Sequence, residues 1–329
     1  MPSQQQRQQL TSGCIVVVAK CPIPGKSKTR LAPLLGEDGS AKLAKAMLSD
    51  VLLTLEHCSE LEKVNKVLLY APGDETGRSI MASILGAIGI EGYRGAEDSS
   101  SGLSKWRLLP MISPNLQSSD LGDILQHALD RVVETPWNQN QERPMSSTGV
   151  VFLGMDSPEL ALPDIVKGLH LASDEVDNQD GEHDKSRLPA VLCPSDDGGY
   201  GMLCVPSTSV SRRIFENVYW SHPLTAVSQL KALTDASIPV ILGQLMHDID
   251  EPEDVTKLCQ RISSRAKIVT ENNVATKLTG LEMPSSYSSS SLDMSATEDT
   301  KVTHVKSLHP ECKYTKLALE ELGSLDTKD

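Results

Sequence analysis

The chain has 329 residues, 39% of them hydrophobic, which suffices for one large α/β domain or two small ones. Its net charge of −13 and pI near 5.1 argue against a nucleic-acid-binding surface, which needs clustered Lys and Arg. Seven cysteines without CxxC spacing predict neither a zinc site nor a disulfide framework. Because no apolar run approaches the roughly 20 residues of a membrane span, we expect a cytoplasmic protein, with organellar import left open.

The first predicted strand, Ile15–Ala19, leads into a loop that is rich in cations. Lys20, Lys26, Lys28 and Arg30 lie there together with two prolines and a glycine. Such a loop suits a diphosphate or triphosphate, because Arg can bind phosphate oxygens bidentately and Lys acts as a point charge. It lacks the spacing of a Walker A loop. The alternative is an ordinary solvated basic loop.

Strands and helices alternate through the next part of the chain. The hydrophobic spacing predicts a helix over 40–57, a strand over 64–70, a helix through 80–85, a short strand near Ile90 and an amphipathic helix over 120–133. Residues 97–119 are predicted to be a polar surface loop. Alternation of this kind is typical of an α/β fold with a parallel sheet.

A predicted buried strand over Gly149–Leu153 ends directly before Asp156. Ligands of open α/β sheets bind at the carboxyl ends of the strands, so this position favours a functional role for Asp156. Pro158 stiffens the loop that holds it. The alternative is that Asp156 only caps the helix predicted to begin at Pro163.

The predicted strand over 189–193 is followed by an acidic, glycine-containing turn. Gly198 and Gly199 would allow the backbone to approach a ligand, while Asp196 or Asp197 could bind a hydroxyl group or a metal. The turn leads through Tyr200 into another strand, which we place in a hairpin at the mixed edge of the sheet. A structural turn with no ligand is the alternative.

The last predicted strand, Pro239–Leu242, leads to a third acidic segment. Asp248 and Asp250 alternate around Ile249, so both carboxylates should lie on one side of the chain. Asp250 and Glu253 also fit a capping box for the helix that follows.

These strand ends together offer a cationic loop and several carboxylates. Mg²⁺ or Mn²⁺ is commonly held by one or two carboxylates together with substrate phosphates. Transfer from a nucleotide-activated donor is the chemistry that such a site favours. Hydride transfer is disfavoured because no GxGxxG motif follows the first strand.

Five motifs carry a resemblance over about residues 14–265. They are AKCPIPGKSKTRLAPLLG at 19–36, LGMDSPEL at 153–160, PSDDGGYGMLCV at 194–205, the pair Trp220-Ser221 and HDIDEPEDV at 247–255. The chain resembles the GT-A-like transferases labelled selenodomain-associated or glycosyltransferase-like, which are similar to the molybdenum-cofactor and phospholactate guanylyltransferases. The resemblance implies a nucleotide-diphospho-sugar transferase fold, with a mostly parallel sheet covered by helices on both faces and mixed at one edge.

The resemblance also implies roles for individual residues. Nucleotide-phosphate contacts match Lys20, Lys28 and Arg30, to which the cationic loop adds Lys26; metal ligation matches Asp156 and Asp250; and donor or acceptor contacts match Asp197, Gly198, Gly199, Tyr200 and Trp220. Asp156, Asp197 and Asp250 form the predicted catalytic set. One departure stands out, since Ile124 replaces an Arg that is usual in the family.

The prediction is therefore a metal-dependent transferase of glycosyl groups from a nucleotide-sugar to an unknown acceptor. A nucleotidyltransferase that releases pyrophosphate is the first alternative, and a nucleotide-binding scaffold without activity is the second. We predict a disordered leader over 1–12, one transferase domain over 13–268 and a mostly disordered Ser-rich tail over 269–329. No nucleic-acid partner and no membrane span are expected, and the oligomeric state is left open.

Overall fold

A seven-stranded sheet forms the centre of the protein in the computed structural model. The structure describes residue 10 and residues 13–93, 106–112, 116, 118, 120–134, 148–173, 188–264 and 312–324. The strands are β1 (Cys14–Lys20), β2 (Asn65–Ala71), β3 (Trp106–Pro110), β4 (Gly149–Gly154), β5 (Ala190–Pro194), β6 (Tyr200–Pro206) and β7 (Val240–Leu242). Their order in the sheet is β3-β2-β1-β4-β6-β5-β7.

Helices cover both faces of this sheet. The helices of the described residues are α1 (Ala32–His57), α2 (Glu75–Ala87), α3 (Leu121–Glu134), α4 (Leu162–Leu171), α5 (Thr225–Asp235), α6 (252–264) and α7 (Lys313–Glu321). The first five pack on the sheet, whereas α6 and α7 pack in a separate apolar cluster with α1. One buried cluster joins side chains of α1, α2 and α4 to one face, and a second joins α3 and α5 to the other. Within β1, Ile15 belongs to the first cluster and Val16 to the second. This two-sided burial explains the continuous apolar sequence of the strand.

Strand directions bring the carboxyl ends of six strands, all but β6, to one edge of the sheet. β1 runs parallel to β2 and β4, and β5 runs parallel to β7. Because β6 is antiparallel to both β4 and β5, the latter two share a direction. The loops after β1, β4, β5 and β7 therefore meet at the same edge. The predicted α/β architecture with a mostly parallel sheet is confirmed, and the one reversed strand lies inside the sheet.

Two expectations about the region after β2 are wrong. No strand forms at Ile90, which follows α2 in irregular backbone. The third strand is instead β3, inside the segment predicted to be a polar loop. Trp106 is only 2% exposed and pairs with Lys66 of β2, so this short run is buried despite its polar flanks.

Helix α7 comes from the part of the chain assigned to the tail. It lies against α1, and its Leu319 is buried in a third apolar cluster with Leu43, Met47 and Leu258. The carboxylate of Asp50 in α1 binds the first turn of α7. The predicted leader over 1–12, apart from Leu10, and residues 265–311 and 325–329 lie outside the described residues, so the predicted domain boundaries stay a prediction.

Two further expectations concern cysteines and membranes. All seven cysteines lie in the described residues and none forms a disulfide. Over the described ranges, every helix is too short or too polar to span a bilayer.

Candidate functional site

The Lys28 ammonium group lies between two carboxylates at the carboxyl edge of the sheet. Its Nζ atom is 2.8 Å from Oδ1 of Asp156 and 2.5 Å from Oδ1 of Asp250. Three loops that are distant in sequence therefore meet at one cationic position. Three of the residues predicted for the site are brought into direct contact there.

Local backbone geometry turns the Lys28 side chain inward. Lys28 has φ 51° and ψ 45°, in the left-handed region, and the short 3₁₀ turn Thr29–Leu31 follows it. Leu31 is fully buried, which holds this turn against the protein. Although burial alone would lower the pKa of Lys28, the carboxylates of Asp156 and Asp250 raise it above the usual lysine value. Lys28 is therefore a buried cation, only 7% exposed in its side chain.

Backbone hydrogen bonds join the loops that carry the two carboxylates. The N–H of Ile249 donates to the carbonyl oxygen of Asp156 at 3.1 Å, and the N–H of Met155 donates to Val18 of β1 at 3.3 Å. Helix α4 begins after Ala161, at which no side chain caps the helix. Among the described contacts, the Asp156 side chain serves the ion pair with Lys28 and does not cap this helix.

A neighbouring residue performs the capping function that was considered for Asp250. The Asp254 carboxylate accepts hydrogen bonds from the N–H groups of Glu251 at 2.9 Å and of Asp250 at 3.3 Å. The start of α6 is therefore capped by Asp254, one position beyond the predicted Glu253. The side chain of Asp250 remains directed at Lys28.

The remaining cations of the loop lie outside the carboxylate cluster. Lys20, Lys26 and Arg30 are exposed. Nη1 of Arg30 lies 3.3 Å from Oε1 of Glu251, at an exposed ion pair of little energetic weight. The loop thus separates one buried cation from three that are open to solvent and to a ligand.

The turn after β5 is shaped by its own aspartate. Oδ1 of Asp197 accepts hydrogen bonds from Ser195 Oγ at 2.6 Å and from the Gly199 N–H at 2.7 Å. Gly198 has φ +87°, and a Cβ atom there would clash with the carbonyl oxygen of Pro223. The absence of a side chain at Gly198 therefore makes room for the backbone of Pro223.

A second group of polar side chains joins the ends of β5 and β7. Oδ2 of Asp196 lies 2.5 Å from Nδ1 of His247. Burial, together with the nearby carboxylates of Asp197 and Asp250, raises the pKa of Asp248 to about 6. The sequence did not predict the contact between His247 and Asp196: the position of His247 directly before the acidic segment makes it a candidate site residue but does not indicate its partner.

Aromatic side chains form one wall beside this turn. The Tyr200 hydroxyl group donates to Gln229 Oε1 at 3.1 Å, and burial raises the pKa of Tyr200. The Trp220 ring lies 6.4 Å from Tyr200 and 6.5 Å from Phe215, between ring centroids. Ile124, which replaces the usual Arg, is 7% exposed and packs in the same apolar cluster.

Comparisons with known proteins address the fold. Residues 96–222 match the model of the family described as "Uncharacterized protein conserved in bacteria (DUF2064)". Among curated proteins, none matches this sequence. A solved structure from Desulfovibrio desulfuricans G20, assigned as a nucleotide-diphospho-sugar transferase, is similar with a TM-score of 0.55 and 20% identity. The match covers 76% of this chain and 87% of that one. The chain has a nucleotide-diphospho-sugar transferase-like fold.

Two other solved structures resemble the chain more weakly. A cytidylyltransferase from Leptospira borgpetersenii has a TM-score of 0.42 and 10% identity, covering 80% of this chain and 96% of that one. A mannosyl-3-phosphoglycerate synthase from Rubrobacter xylanophilus has a TM-score of 0.35 and 10% identity, covering 83% and 78%. At these scores neither adds to the argument. The GT-A-like fold that the motifs implied agrees with the first structure.

Proposed function

We propose that the protein is a metal-dependent transferase that moves a glycosyl group from a nucleotide-sugar to an acceptor. The observation that carries the proposal is the convergence of Asp156 and Asp250 on one cationic position. That position lies at the carboxyl edge of the sheet, where α/β proteins bind ligands, and beside a loop with three exposed cations. Carboxylates and cations so arranged suit a diphosphate-linked donor.

The two carboxylates fit a divalent cation shared with a donor. The described residues contain no group of three or more His, Cys, Asp or Glu side chains that could hold a metal ion, so two carboxylates would have to share the cation with ligands from outside the protein. Mg²⁺ and Mn²⁺ accept this arrangement, because they commonly bind one or two carboxylates and take their other ligands from water and phosphates. A bound cation would offset the negative charge of the diphosphate leaving group. Lys28 has to leave the carboxylates for the cation to bind.

The side chains around this position provide the remaining functions. Exposed Lys20, Lys26 and Arg30 would bind the phosphates of the donor, with Arg30 able to form paired hydrogen bonds. The Asp197 turn and the wall formed by Tyr200 and Trp220 would bind the transferred group or the acceptor. Because the Tyr200 hydroxyl group already donates a hydrogen bond to Gln229, the aromatic ring of Tyr200 would contribute more to ligand binding than its hydroxyl group.

A nucleotidyltransferase is the second candidate, and the exposed cations favour it. The positive charge of three cations near the site exceeds the negative charge of a diphosphate-linked donor. Together with a metal ion, these cations could neutralise the larger charge of a triphosphate. In that reaction a phosphorylated acceptor would attack the nucleoside triphosphate and release pyrophosphate.

Product analysis separates the two candidates. The purified protein would first be screened by thermal shift against nucleotides and nucleotide-sugars with and without Mn²⁺, because a ligand of the native state raises the unfolding temperature. The ligands that bind would then be incubated with candidate acceptors. Release of a nucleoside diphosphate supports glycosyl transfer, whereas release of pyrophosphate supports nucleotidyl transfer. Nucleotide binding with neither product would contradict both and favour the scaffold.

A further inference from the structure

The Lys28 side chain takes the place that a divalent cation would need. Both carboxylate oxygens are within 2.8 Å of its Nζ atom, so the ammonium group neutralises the two charges that would attract a metal ion. The side chain is 7% exposed, whereas those of Asp156 and Asp250 are 37% and 40% exposed. The two carboxylates are therefore accessible from solvent, whereas the buried Lys28 side chain reaches them from inside the protein.

The other basic residues of the loop do not share this position. Lys26 and Arg30 flank Lys28 in sequence, yet both are exposed, and Arg30 pairs with Glu251. A left-handed backbone at Lys28 reverses the chain locally and directs this one side chain to the carboxylates. The loop thus places one cation inside and leaves its neighbours facing solvent.

We propose that Lys28 is an internal competitor of the divalent cation and keeps the metal position closed until a phosphate-bearing ligand draws the ammonium group away. This inference rests on the metal-dependent transferase proposed above. An internal competitor lowers the apparent affinity of a ligand in proportion to the fraction of molecules in which the site is accessible. The nucleotide-free protein would therefore bind metal weakly. Donor phosphates would attract the released ammonium group and couple donor binding to metal binding.

The test is a titration of the nucleotide-free protein with Mn²⁺. Isothermal titration calorimetry measures the binding, and the electron paramagnetic resonance signal of unbound Mn²⁺ measures it independently. Two variants remove the competing charge, Lys28→Met and Lys28→Gln, of which the second keeps a hydrogen-bond donor for the carboxylates. We expect Mn²⁺ to bind either variant at least about tenfold more tightly than the wild type, within the usual range of coupling between sites. Lys28→Arg, which keeps the charge, should show no such gain.

The matched control is Lys231→Met. Lys231 is an exposed lysine paired with Asp235 at 2.6 Å on α5, so its removal changes the net charge equally at a distant ion pair. Adding Asp250→Asn to Lys28→Met should abolish the gain in Mn²⁺ affinity, because one of the two carboxylates is then lost.

Equal or weaker Mn²⁺ binding by both Lys28 variants would overturn the inference. That outcome differs from a failure of the proposed function, which is decided by the products that the wild-type protein releases. Thermal unfolding of each variant without metal reports whether the fold is retained. If Lys28→Met alone fails to fold, Lys28→Gln decides the question.

Discussion

Asp50 of α1 caps the N terminus of α7 by accepting a 2.7 Å hydrogen bond from the backbone N–H of Thr315. Its other oxygen accepts the N–H of Tyr314 at 2.9 Å. Asp50 is 4% exposed, so two N–H groups in the first turn of α7 obtain their hydrogen-bond partner from a buried residue more than 260 positions earlier. This pair of hydrogen bonds anchors the C-terminal helix to the transferase-like core.

Replacing Asp50 by Ala should destabilise the protein and loosen α7. Loss of a helix cap costs typically about 1–2 kcal/mol of unfolding free energy. Urea denaturation measures the global loss, and hydrogen exchange should accelerate over Lys313–Glu321 but not over Leu121–Glu134. Asp235→Ala on the exposed face of α5 is the control. Unchanged exchange in α7 would show that the cap does not hold the helix.

The same carboxylate predicts a pH dependence of stability. Burial raises the pKa of Asp50, although hydrogen bonds from Thr315 and Tyr314 oppose the shift. The native state then binds a proton more tightly than the unfolded state, so the unfolding free energy falls as pH rises from the ordinary carboxyl pKa through the raised one. Asp50→Asn should lack this component. Urea denaturation of both proteins, in steps upward from about pH 4, where an ordinary Asp titrates, measures the unfolding free energy at each pH. The same dependence of this free energy on pH in the wild type and in Asp50→Asn would contradict the prediction.

Leu319→Ala should reveal the packing energy of α7. Leu319 is fully buried against Leu43 and Met47 of α1, so its truncation should cost about 2–5 kcal/mol. Leu317 on the same helix is 47% exposed, and Leu317→Ala should change stability by no more than about 0.5 kcal/mol. Thermal and urea unfolding of both variants measure the contrast. Equal effects would mean that α7 does not depend on this cluster.

Gly198→Ala should distort the turn after β5. A Cβ atom at φ +87° is strained and clashes with the Pro223 carbonyl oxygen, so we expect a cost of about 1–3 kcal/mol and weaker binding of nucleotide-sugars. Gly86→Ala in α2 meets no atom within 4 Å and should be neutral or stabilising. Unfolding and calorimetric titration check both variants. A Gly198→Ala protein of wild-type stability and affinity would remove this turn from the site.

Asp156→Asn should remove metal-dependent nucleotide binding while the fold survives. The Asp156 side chain is 37% exposed, and an amide oxygen can still accept from Lys28, so little stability is lost. Calorimetry with nucleotide in the presence of Mg²⁺ or Mn²⁺ measures the effect, and Asp235→Asn serves as the control. Affinity equal to that of the wild type would show that Asp156 has no part in metal binding.

The sequence predicts the sheet better than it predicts the contacts between its loops. Buried strands such as β1 and β4 are legible because continuous β-branched runs require two covered faces. β3 was missed because its five residues include Pro110 and lie between polar segments. The position of Asp156 and Asp250 at one edge follows from strand direction. The inward orientation of the Lys28 side chain, however, depends on a left-handed backbone conformation, which the residue types in this loop do not predict.

The pairing of His247 with Asp196 was equally out of reach. It depends on the parallel alignment of Ser195 with Met246, an isolated bridge between segments about 50 residues apart. Long-range register of this kind is decided by the assembled sheet and not by local sequence.

The ion pair between Lys28 and Asp250 joins residues 222 positions apart. Contacts between residues so far apart in sequence are expected to form late in folding, because closing a long loop costs conformational entropy. During synthesis the first strand and its cationic loop emerge long before their acidic partners. The cluster of Lys28, Asp156 and Asp250 can therefore form only after nearly the whole sheet has been synthesised and paired. Formation of this ion pair marks the assembly of the sheet.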